Sequence, residues 1–308
     1  MKKTTPLPEH IILSPEGEHM THNIEESWIV NAKLRESHDL AYQKWFNKVG
    51  TLKETVQNGF IDFSHKIFTE DLYKYIGDPR QKTSLEIGFG GGRLINAASK
   101  YFNMCYGLDI LDPSSIEKTQ DFLKKQGCSN HTLLHRDNSD VIEDGSIDFI
   151  YSFIVFQHFK DWDEVLKYFS LFKRVMAPGA IAKIYFKALP PRVFPTPTEL
   201  AHHGFPHDKD GIEEWWFTKM SCPSGDVLYY RESGGAPPAI KLSLKPPTEE
   251  CPIGIGSFSS LYLNDKFVLQ NLEANFKILE QPTYQTKTPW SSNLSNQFHI
   301  TFMKRDEG

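Results

Sequence analysis

A glycine-rich loop lies where a predicted strand meets a predicted helix, in the run LEIGFGGGR of residues 85–93. Glycines at such a turn let the backbone pass close under a ligand, and the helix N-terminus offers unpaired N–H groups. Taken alone, the loop could be a tight turn without a ligand. Asp109 follows Gly88 by 21 positions, at the end of the next predicted strand, where a carboxylate can accept both hydroxyls of a ribose. Loop and carboxylate together favour a nucleotide-like ligand.

The spacing of the glycines separates two kinds of ligand. A dinucleotide fingerprint requires G-x-G-x-x-G, and Gly88 and Gly90 fit its first two positions. Its last position is Arg93, which would crowd the close packing of helix on strand. The loop does match G-x-G-x-G, through Gly88, Gly90 and Gly92. Because a carboxylate at Asp109 suits the ribose of either kind of ligand, an NAD(P)-dependent oxidoreductase stays open as the alternative.

The elements around this loop alternate between strands and helices. Apolar runs predict strands at residues 83–87, 104–108, 132–135, 147–155 and 180–186, with helical patterns between them. Such alternation indicates right-handed βαβ crossovers and an α/β, doubly wound sheet. After residue 256 the pattern predicts a helix over 258–276 and strands over 277–285 and 297–304.

Three further zones flank this pattern. Residues 1–20 carry three prolines and predict a mobile arm. Residues 21–80 predict a helical extension or lid, in which apolar residues from Ile24 to Val49, including Trp28, Leu34 and Trp45, would share one face. Residues 187–256 are rich in proline and glycine and show no pattern beyond a short stretch at Trp215. We expect the helical extension and the insertion to form the lid over a substrate, with 81–308 as one domain and 187–256 as its substrate cap.

Four runs in this order resemble the class I S-adenosylmethionine-dependent methyltransferases. They are SLEIGFGGGRLINAASKYF, YGLDI, HRDNSDVIEDGSIDFIYSFIVFQHF and LFKRVMAPGAIAKIYF, within about residues 84–186. The resemblance implies an enzyme with S-adenosyl-L-methionine as cofactor. It also implies a Rossmann-like, doubly wound seven-stranded sheet with an antiparallel last strand, an N-terminal helical extension and a long insertion after the fifth strand. A non-catalytic S-adenosylmethionine-binding partner protein is a further alternative.

The resemblance also assigns roles to individual residues. Glu86, Gly88 and Gly90 would line the methionine part of the cofactor, and Asp109 would hold the ribose hydroxyls. The remaining contacts fall on residues near the ends of later strands. Ile110 would pack on the adenine, Asp137 with Asn138 would meet the adenine amino group, and Phe153 would lie near the transferable methyl.

His158 is the candidate general base, in the run FQHF just after the fourth predicted strand. Related enzymes often have a histidine at this place, and the usual pKa of histidine suits proton abstraction near neutrality. The alternative is a histidine that only shapes the loop. Because the sulfonium methyl is already activated, methyl transfer needs alignment more than it needs a base.

The insertion holds the candidate substrate residues. One group of candidates is His202 and His203, with His207 and Asp208 nearby. We expect them to lie in a solvated loop or to contact the substrate rather than to bind a metal, since no helical H-x-x-x-H spacing supports a metal site. Trp215 could stack on a substrate or form a small core of the loop. Arg231 could meet an acidic group of the substrate or form an exposed ion pair.

Composition restricts the partners. The chain has 308 residues, 39% of them hydrophobic, and a formal charge of −5, which argues against a nucleic-acid binder. No long apolar run predicts a membrane span or a signal peptide, and four scattered cysteines predict neither a zinc cluster nor a disulfide framework. We expect a cytoplasmic enzyme that methylates oxygen or nitrogen of a small molecule or saccharide acceptor, with its oligomeric state open.

Overall fold

One sheet of eleven strands organises the part of the chain that the structure describes. In this computed structural model that part comprises residues 24–47, 50–159, 161–188, 217–221, 227–231, 253–256, 261–284 and 297–305. The expected arm at residues 1–20 and most of the insertion lie outside these ranges. The strands are β1 Thr83–Ile87, β2 Met104–Asp109, β3 His131–His135, β4 Ile147–Ser152, β5 Met176–Ala188, β6 Phe217–Ser221, β7 Val227–Arg231, β8 Ile253–Gly256, β9 Leu261–Leu263, β10 Phe276–Tyr284 and β11 Gln297–Lys304.

Seven of these strands confirm the predicted sheet. Their order is β3-β2-β1-β4-β5-β11-β10. The first five strands are parallel, and β11 runs antiparallel to both β5 and β10. This is a doubly wound sheet with one reversed strand near its edge, and it places the carboxyl ends of β1, β2 and β4 side by side.

Four more strands extend the sheet in a way that the sequence did not predict. The end of β5 pairs with β9 in parallel through Lys187 and Ala188. Antiparallel pairing then continues from β9 to β8, β6 and β7. The insertion after β5 thus contributes strands where its proline and glycine content gave no readable period.

Helices pack on both faces of the sheet. They are α1 Ile24–Lys33, α2 Asp39–Asn47, α3 Leu52–Asp62, α4 Glu70–Ile76, α5 Arg93–Ala98, α6 Pro113–Lys125, α7 Trp162–Val175 and α8 Asp265–Glu273. Side-chain caps fix several starts: Thr51 and Glu54 form a capping box before α3, and Asp161 caps α7. A π-helical turn, Phe63–Ile67, links α3 to the segment before α4.

The core has two layers because strand side chains alternate between the faces of the sheet. On β5, Ala182, Ile184 and Phe186 pack with the apolar stripes of α7 and α8. The neighbours Ile181 and Tyr185 face the layer formed with the N-terminal helices, α5 and α6. The Lys183 side chain lies on this second face and is also buried. The layer that includes the N-terminal helices therefore contains a charged group.

Several predicted boundaries were wrong. The predicted apolar face over 24–49 is not one surface, because α1 ends at Lys33, α2 begins at Asp39, and Leu34 between them is 68% exposed. The predicted helix over 258–276 is only α8, preceded by β9. The predicted strands were misplaced by a few residues at β4, which ends at Ser152 rather than Val155, and at β5, which begins at Met176.

Candidate functional site

The carboxyl ends of β1, β2 and β4 open into one cavity of about 630 Å³. Its floor and one wall come from the glycine loop after β1, the residues at the end of β2 and the turn after β4. The N-terminal helices α1, α2 and α3 supply the facing wall. The lining includes Trp28, Trp45, Phe46, Asn58, Asp62, Glu86, Gly88, Gly90, Arg93, Asp109, Ile110, Phe153, Ile154, Val155, Gln157, His158, Lys187 and Gln297.

The glycine loop is packed so closely that two of its positions exclude a side chain. Gly88 has φ +76°, and a Cβ on it would lie 2.4 Å from a methyl carbon of Val155. Gly90 has φ +49°, and its Cβ would lie 2.7 Å from the ring of Phe46 on α2. Glycine is therefore required at both places, by backbone conformation and by contact with the turn after β4 and with the helical extension.

Asp109 closes β2 and is tied to the glycine loop. Its Oδ2 accepts a hydrogen bond from the Gly90 N–H at 2.8 Å, and its Oδ1 accepts one from the Ile110 N–H at 2.7 Å. The side chain is buried, and burial raises the pKa of Asp109 to about 6, opposed by these N–H donors. The carboxylate is thus held at a fixed place in the cavity with acceptor capacity left for a ligand.

Glu86 lies on β1 at the bottom of the cavity. It is almost fully buried, and Oε2 accepts a hydrogen bond from the Tyr151 hydroxyl at 3.2 Å. Burial raises the pKa of Glu86 to about 8, an effect that the Arg93 guanidinium partly offsets. A cation bound beside Glu86 would replace the solvation that this carboxylate has lost.

Asp62 of α3 takes part in two ion pairs, and the one with Arg93 joins α3 to the cavity. Asp62 receives Arg93 Nη1 on Oδ2 and Lys66 Nζ on Oδ1, both at 2.6 Å. The ring of Phe153 lies 5.1 Å from Lys66 Nζ and 5.7 Å from the Arg93 guanidinium carbon. No sequence pattern pointed to Asp62 or to the ion-pairing role of Arg93. The buried face of α3 is Thr55, Gly59 and Asp62 rather than an apolar stripe.

Ile154 is the strained residue of the site. Its φ is +62°, a left-handed conformation that is rare for a β-branched residue. Among the described residues it is the one non-glycine with positive φ, and it lines the cavity directly after Phe153. Strain of this kind is retained at functional turns when the surroundings enforce it. No residue pattern in the sequence indicates it.

His158 ends a short 3₁₀ turn, Phe156–His158, and lines the cavity. The Trp28 ring meets its imidazole edge-on, with 4.9 Å between the ring centroids. Gln157 Nε2 lies 3.0 Å from His158 Nε2. The candidate base is therefore held between the helical extension and the turn after β4.

The helical extension is fastened to the glycine loop and to α6 by buried polar contacts. Gln43 on α2 donates to the Gly91 carbonyl at 2.7 Å, and the Tyr42 hydroxyl donates to the Ser115 carbonyl at 2.8 Å. Trp28, Trp45 and Phe46 then face the cavity as an aromatic cluster, with Trp28 5.2 Å from Trp45 between ring centroids. The extension forms a wall of the site.

Residues 85–184, from β1 into β5, match the sequence profile of the family described as "Methyltransferase domain". The match spans the glycine loop, Asp109, Phe153 and His158, which the fold brings to the cavity. Residues 85–184 of the chain therefore form a methyltransferase domain, as the four runs implied. Its cofactor is S-adenosylmethionine, and it is an enzyme of this type.

Solved structures similar to this methyltransferase include an S-adenosylmethionine-dependent methyltransferase from Clostridium acetobutylicum, with 11% identity, 86% of this chain and 96% of that chain covered, and a TM-score of 0.48. Another is the 1,6-didemethyltoxoflavin-N1-methyltransferase of Burkholderia thailandensis, with 11% identity, coverage of 92% and 90%, and a TM-score of 0.49. An Aquifex aeolicus methyltransferase has 16% identity, coverage of 83% and 100%, and a TM-score of 0.45. The sequence matches no curated protein.

Seven of the predicted site residues of the methyltransferase come together. Glu86, Gly88, Gly90, Asp109, Ile110, Phe153 and His158 all line the cavity. Asp137 and Asn138 are exposed and lie outside the lining, and Asp137 pairs instead with His135 at 3.4 Å and Arg136 at 3.7 Å. Their contact with the adenine stays a prediction.

The candidate substrate residues fall mostly outside the described part of the methyltransferase. His202, His203 and Trp215 lie there, and Arg231 is the last residue of β7, with a side chain that is not described. In the described ranges, no group of three or more His, Cys, Asp or Glu could hold a metal ion. Nor does any helix in these ranges have the length and hydropathy to cross a membrane.

Proposed function

We propose that this methyltransferase transfers the methyl group to an oxygen or nitrogen of a small molecule or saccharide. The observation that carries the proposal is the shape of the site. One cavity of about 630 Å³ holds Glu86 and Asp109 at one end, and the aromatic cluster with His158 at the other. A volume of this size is typical of sites for small molecules, and the α1–α2 wall limits access by a large polymer.

The cofactor would lie along the ends of β1 and β2. Asp109 would accept the two ribose hydroxyls, Ile110 would pack on the adenine, and the backbone at Gly88 and Gly90 would pass under the methionine part. Glu86 and Asp62 offer carboxylates for the ammonium group, and Arg93 offers a guanidinium for the carboxylate. Glu86 and Asp62 are buried, Asp62 is already paired with Arg93, and Glu86 already accepts from Tyr151, which supports a preorganised site.

The reaction needs alignment of the acceptor with the methyl group and exclusion of water. The cofactor supplies an activated sulfonium methyl, and positioning can lower such a barrier by as much as ~7–11 kcal/mol. Phe153 and the strained turn at Ile154 would fix the wall beside the methyl group. If the acceptor must lose a proton, His158 is the nearest candidate, and a base would add ~10²–10⁴-fold.

We also propose that residues 187–256 cap the acceptor side of the site. The carboxyl end of β5 leads into this segment, and Lys187 at that end lines the cavity. His202, His203, Trp215 and Arg231 remain the candidate acceptor contacts. The formal charge of −5 favours a small acceptor over nucleic acid, and a cytoplasmic location is the expectation for such a chain.

A transfer assay with S-adenosylmethionine labelled in its methyl group tests the proposal. The acceptor panel contains small alcohols, phenols, amines and sugars, with total RNA, DNA and a protein extract as separate arms. We expect label in at least one small-molecule arm. Label confined to a macromolecule would overturn the acceptor class. Binding of the cofactor with no label in any arm would favour a non-catalytic partner protein, and binding of NAD(P) in its place would favour an oxidoreductase.

A further inference from the structure

A chain of two glutamine amides runs from β11 to His158. Gln297 begins β11, opposite Lys187 of β5, and its Nε2 donates to Gln157 Oε1 at 2.5 Å. Gln157 Nε2 lies 3.0 Å from His158 Nε2. All three residues line the cavity. Residues 140 positions apart in sequence are thus joined at the acceptor end of the site.

The direction of these hydrogen bonds decides which nitrogen of the His158 imidazole carries the proton. Because Gln157 Oε1 receives the Gln297 hydrogen, the group that Gln157 presents to His158 is its NH₂, which has donors only. His158 Nε2 must then be the acceptor of that hydrogen bond. A neutral imidazole whose Nε2 accepts carries its proton on Nδ1. The tautomer of His158 follows from the two amides, not from the ring itself.

At the Gln297 end of this pair of hydrogen-bonded amides, one buried oxygen atom has no hydrogen-bond partner among the described residues. Gln297 is only 5% exposed, and its Oε1 is a buried carbonyl oxygen with no hydrogen-bond partner in the described part of the chain. A buried hydrogen-bond acceptor without a partner is unfavourable, so such a group in a cavity indicates a role. A methyl acceptor bound in the cavity could donate a hydrogen bond from its O–H or N–H to Gln297 Oε1.

We propose that Gln157 and Gln297 are positioning residues that hold His158 Nε2 as a hydrogen-bond acceptor. In this arrangement His158 Nε2 accepts from Gln157 and is not the general base that the proposed function left open. The O–H or N–H of the methyl acceptor would instead donate a hydrogen bond to Gln297 Oε1. The part of this proposal that concerns the acceptor rests on the proposed function. The part that concerns the tautomer does not.

The test is the tautomer of His158, read by long-range ¹H–¹⁵N correlation on the full chain with ¹⁵N-labelled histidine and S-adenosylhomocysteine present. The His158 signal is assigned by its loss in His158→Asn. We expect the wild type to carry the proton on Nδ1. In Gln297→Glu, the carboxylate cannot donate, so the Gln157 amide turns over to donate to it. Gln157 Oε1 then faces the imidazole, and the proton moves to Nε2.

Controls separate this effect from charge and from folding. Gln270→Glu makes the same change on the exposed face of α8 and should keep the wild-type tautomer. If Gln297→Glu does not fold, Gln157→Leu removes the donor, and His158 should then gain the Nε2–H form. A wild type protonated on Nε2, or no change of tautomer in the folded variants, overturns the proposal. Calorimetry with S-adenosylhomocysteine on the same samples reports the cofactor site separately, so its failure is distinguishable.

Discussion

The Asp109 carboxylate accepts a hydrogen bond from the backbone N–H of Gly90, with 2.8 Å between the two atoms. This bond joins the end of β2 to the glycine loop after β1, so the two motifs that the sequence places 19 residues apart form one unit. Gly90 has a positive φ, and the Phe46 ring leaves no room for a Cβ on it. The cofactor site is thus built before the cofactor binds.

Cofactor affinity should fall at acidic pH. Burial raises the pKa of Asp109 to about 6, so below this pH the side chain becomes a carboxylic acid and loses acceptor capacity for the ribose. We expect about tenfold weaker binding of S-adenosylhomocysteine at pH 5 than the unprotonated protein shows. Calorimetry at pH 5 and pH 7 measures this. Asp109→Asn should bind weakly at both values; a variant with the wild-type pH profile would assign the effect elsewhere.

Glu86→Gln should stabilise the fold at pH 8 while weakening the cofactor site. Burial raises the pKa of Glu86 from 4.5 to about 8, so the folded state keeps a proton that the unfolded chain loses in this range. The stability that this proton contributes is present below pH 4.5 and is lost as the pH rises toward 8. Glutamine removes this dependence and can still accept from Tyr151.

Thermal unfolding at pH 5 and pH 8 checks the effect of Glu86→Gln. We expect the melting temperature of the variant to exceed that of the wild type at pH 8, with a smaller difference at pH 5. Glu117→Gln, at an exposed position of α6, serves as the control and should change neither value. An equal gain at pH 5 and pH 8 would show that Glu86 is ionised in the folded protein throughout this range.

Gly88→Ala should be far more damaging than Gly145→Ala. Both glycines have positive φ, at +76° and +66°, so each substitution meets backbone strain of about 1–3 kcal/mol. Only at Gly88 would the new methyl collide with Val155, whereas at Gly145 no atom lies within 4 Å. Denaturant unfolding should show a loss of more than about 3 kcal/mol for Gly88→Ala and about 1 kcal/mol for Gly145→Ala. Equal losses would mean that the loop does not press on Val155.

Tyr42→Phe should loosen the helical extension without touching the cavity floor. The buried Tyr42 hydroxyl donates to Ser115 O at 2.8 Å and lies 3.0 Å from Thr119 Oγ1. Its removal deletes these buried hydrogen bonds, at a cost of ~0.5–1.5 kcal/mol each. Hydrogen exchange of residues 24–47 should accelerate by roughly tenfold or more, while β1 and β4 keep wild-type protection. Uniform acceleration across the sheet would show that the extension does not open as a separate unit.

The sequence was sufficient for the parts of the site that depend on local chemistry. Alternating strands and helices predicted the sheet, and β11 was predicted at its observed bounds, 297–304. Gly88, Gly90 and Asp109 were identifiable because a tight turn and a strand-end carboxylate leave a spacing that can be read directly. His158 was found through the run FQHF.

The parts that were missed depend on contacts between distant segments. Nothing local marks Gln297 as the partner of Gln157, because the pairing arises from the register of β11 on β5. The positive φ of Ile154 is imposed by packing around the turn, against the intrinsic preference of isoleucine. Strands β6, β7 and β8 form by pairing with an existing sheet edge, so the proline-rich and glycine-rich insertion showed no period of its own.

Calorimetric titration of S-adenosylhomocysteine into wild type and Asp109→Ala at pH 7.5 tests whether this cavity binds S-adenosylmethionine through Asp109. Each charge-assisted hydrogen bond to the ribose is worth ~1.5–3 kcal/mol. We therefore expect saturable binding to the wild type and at least tenfold weaker binding to the folded variant. No heat with the wild type, or equal affinity for both proteins, would contradict this expectation.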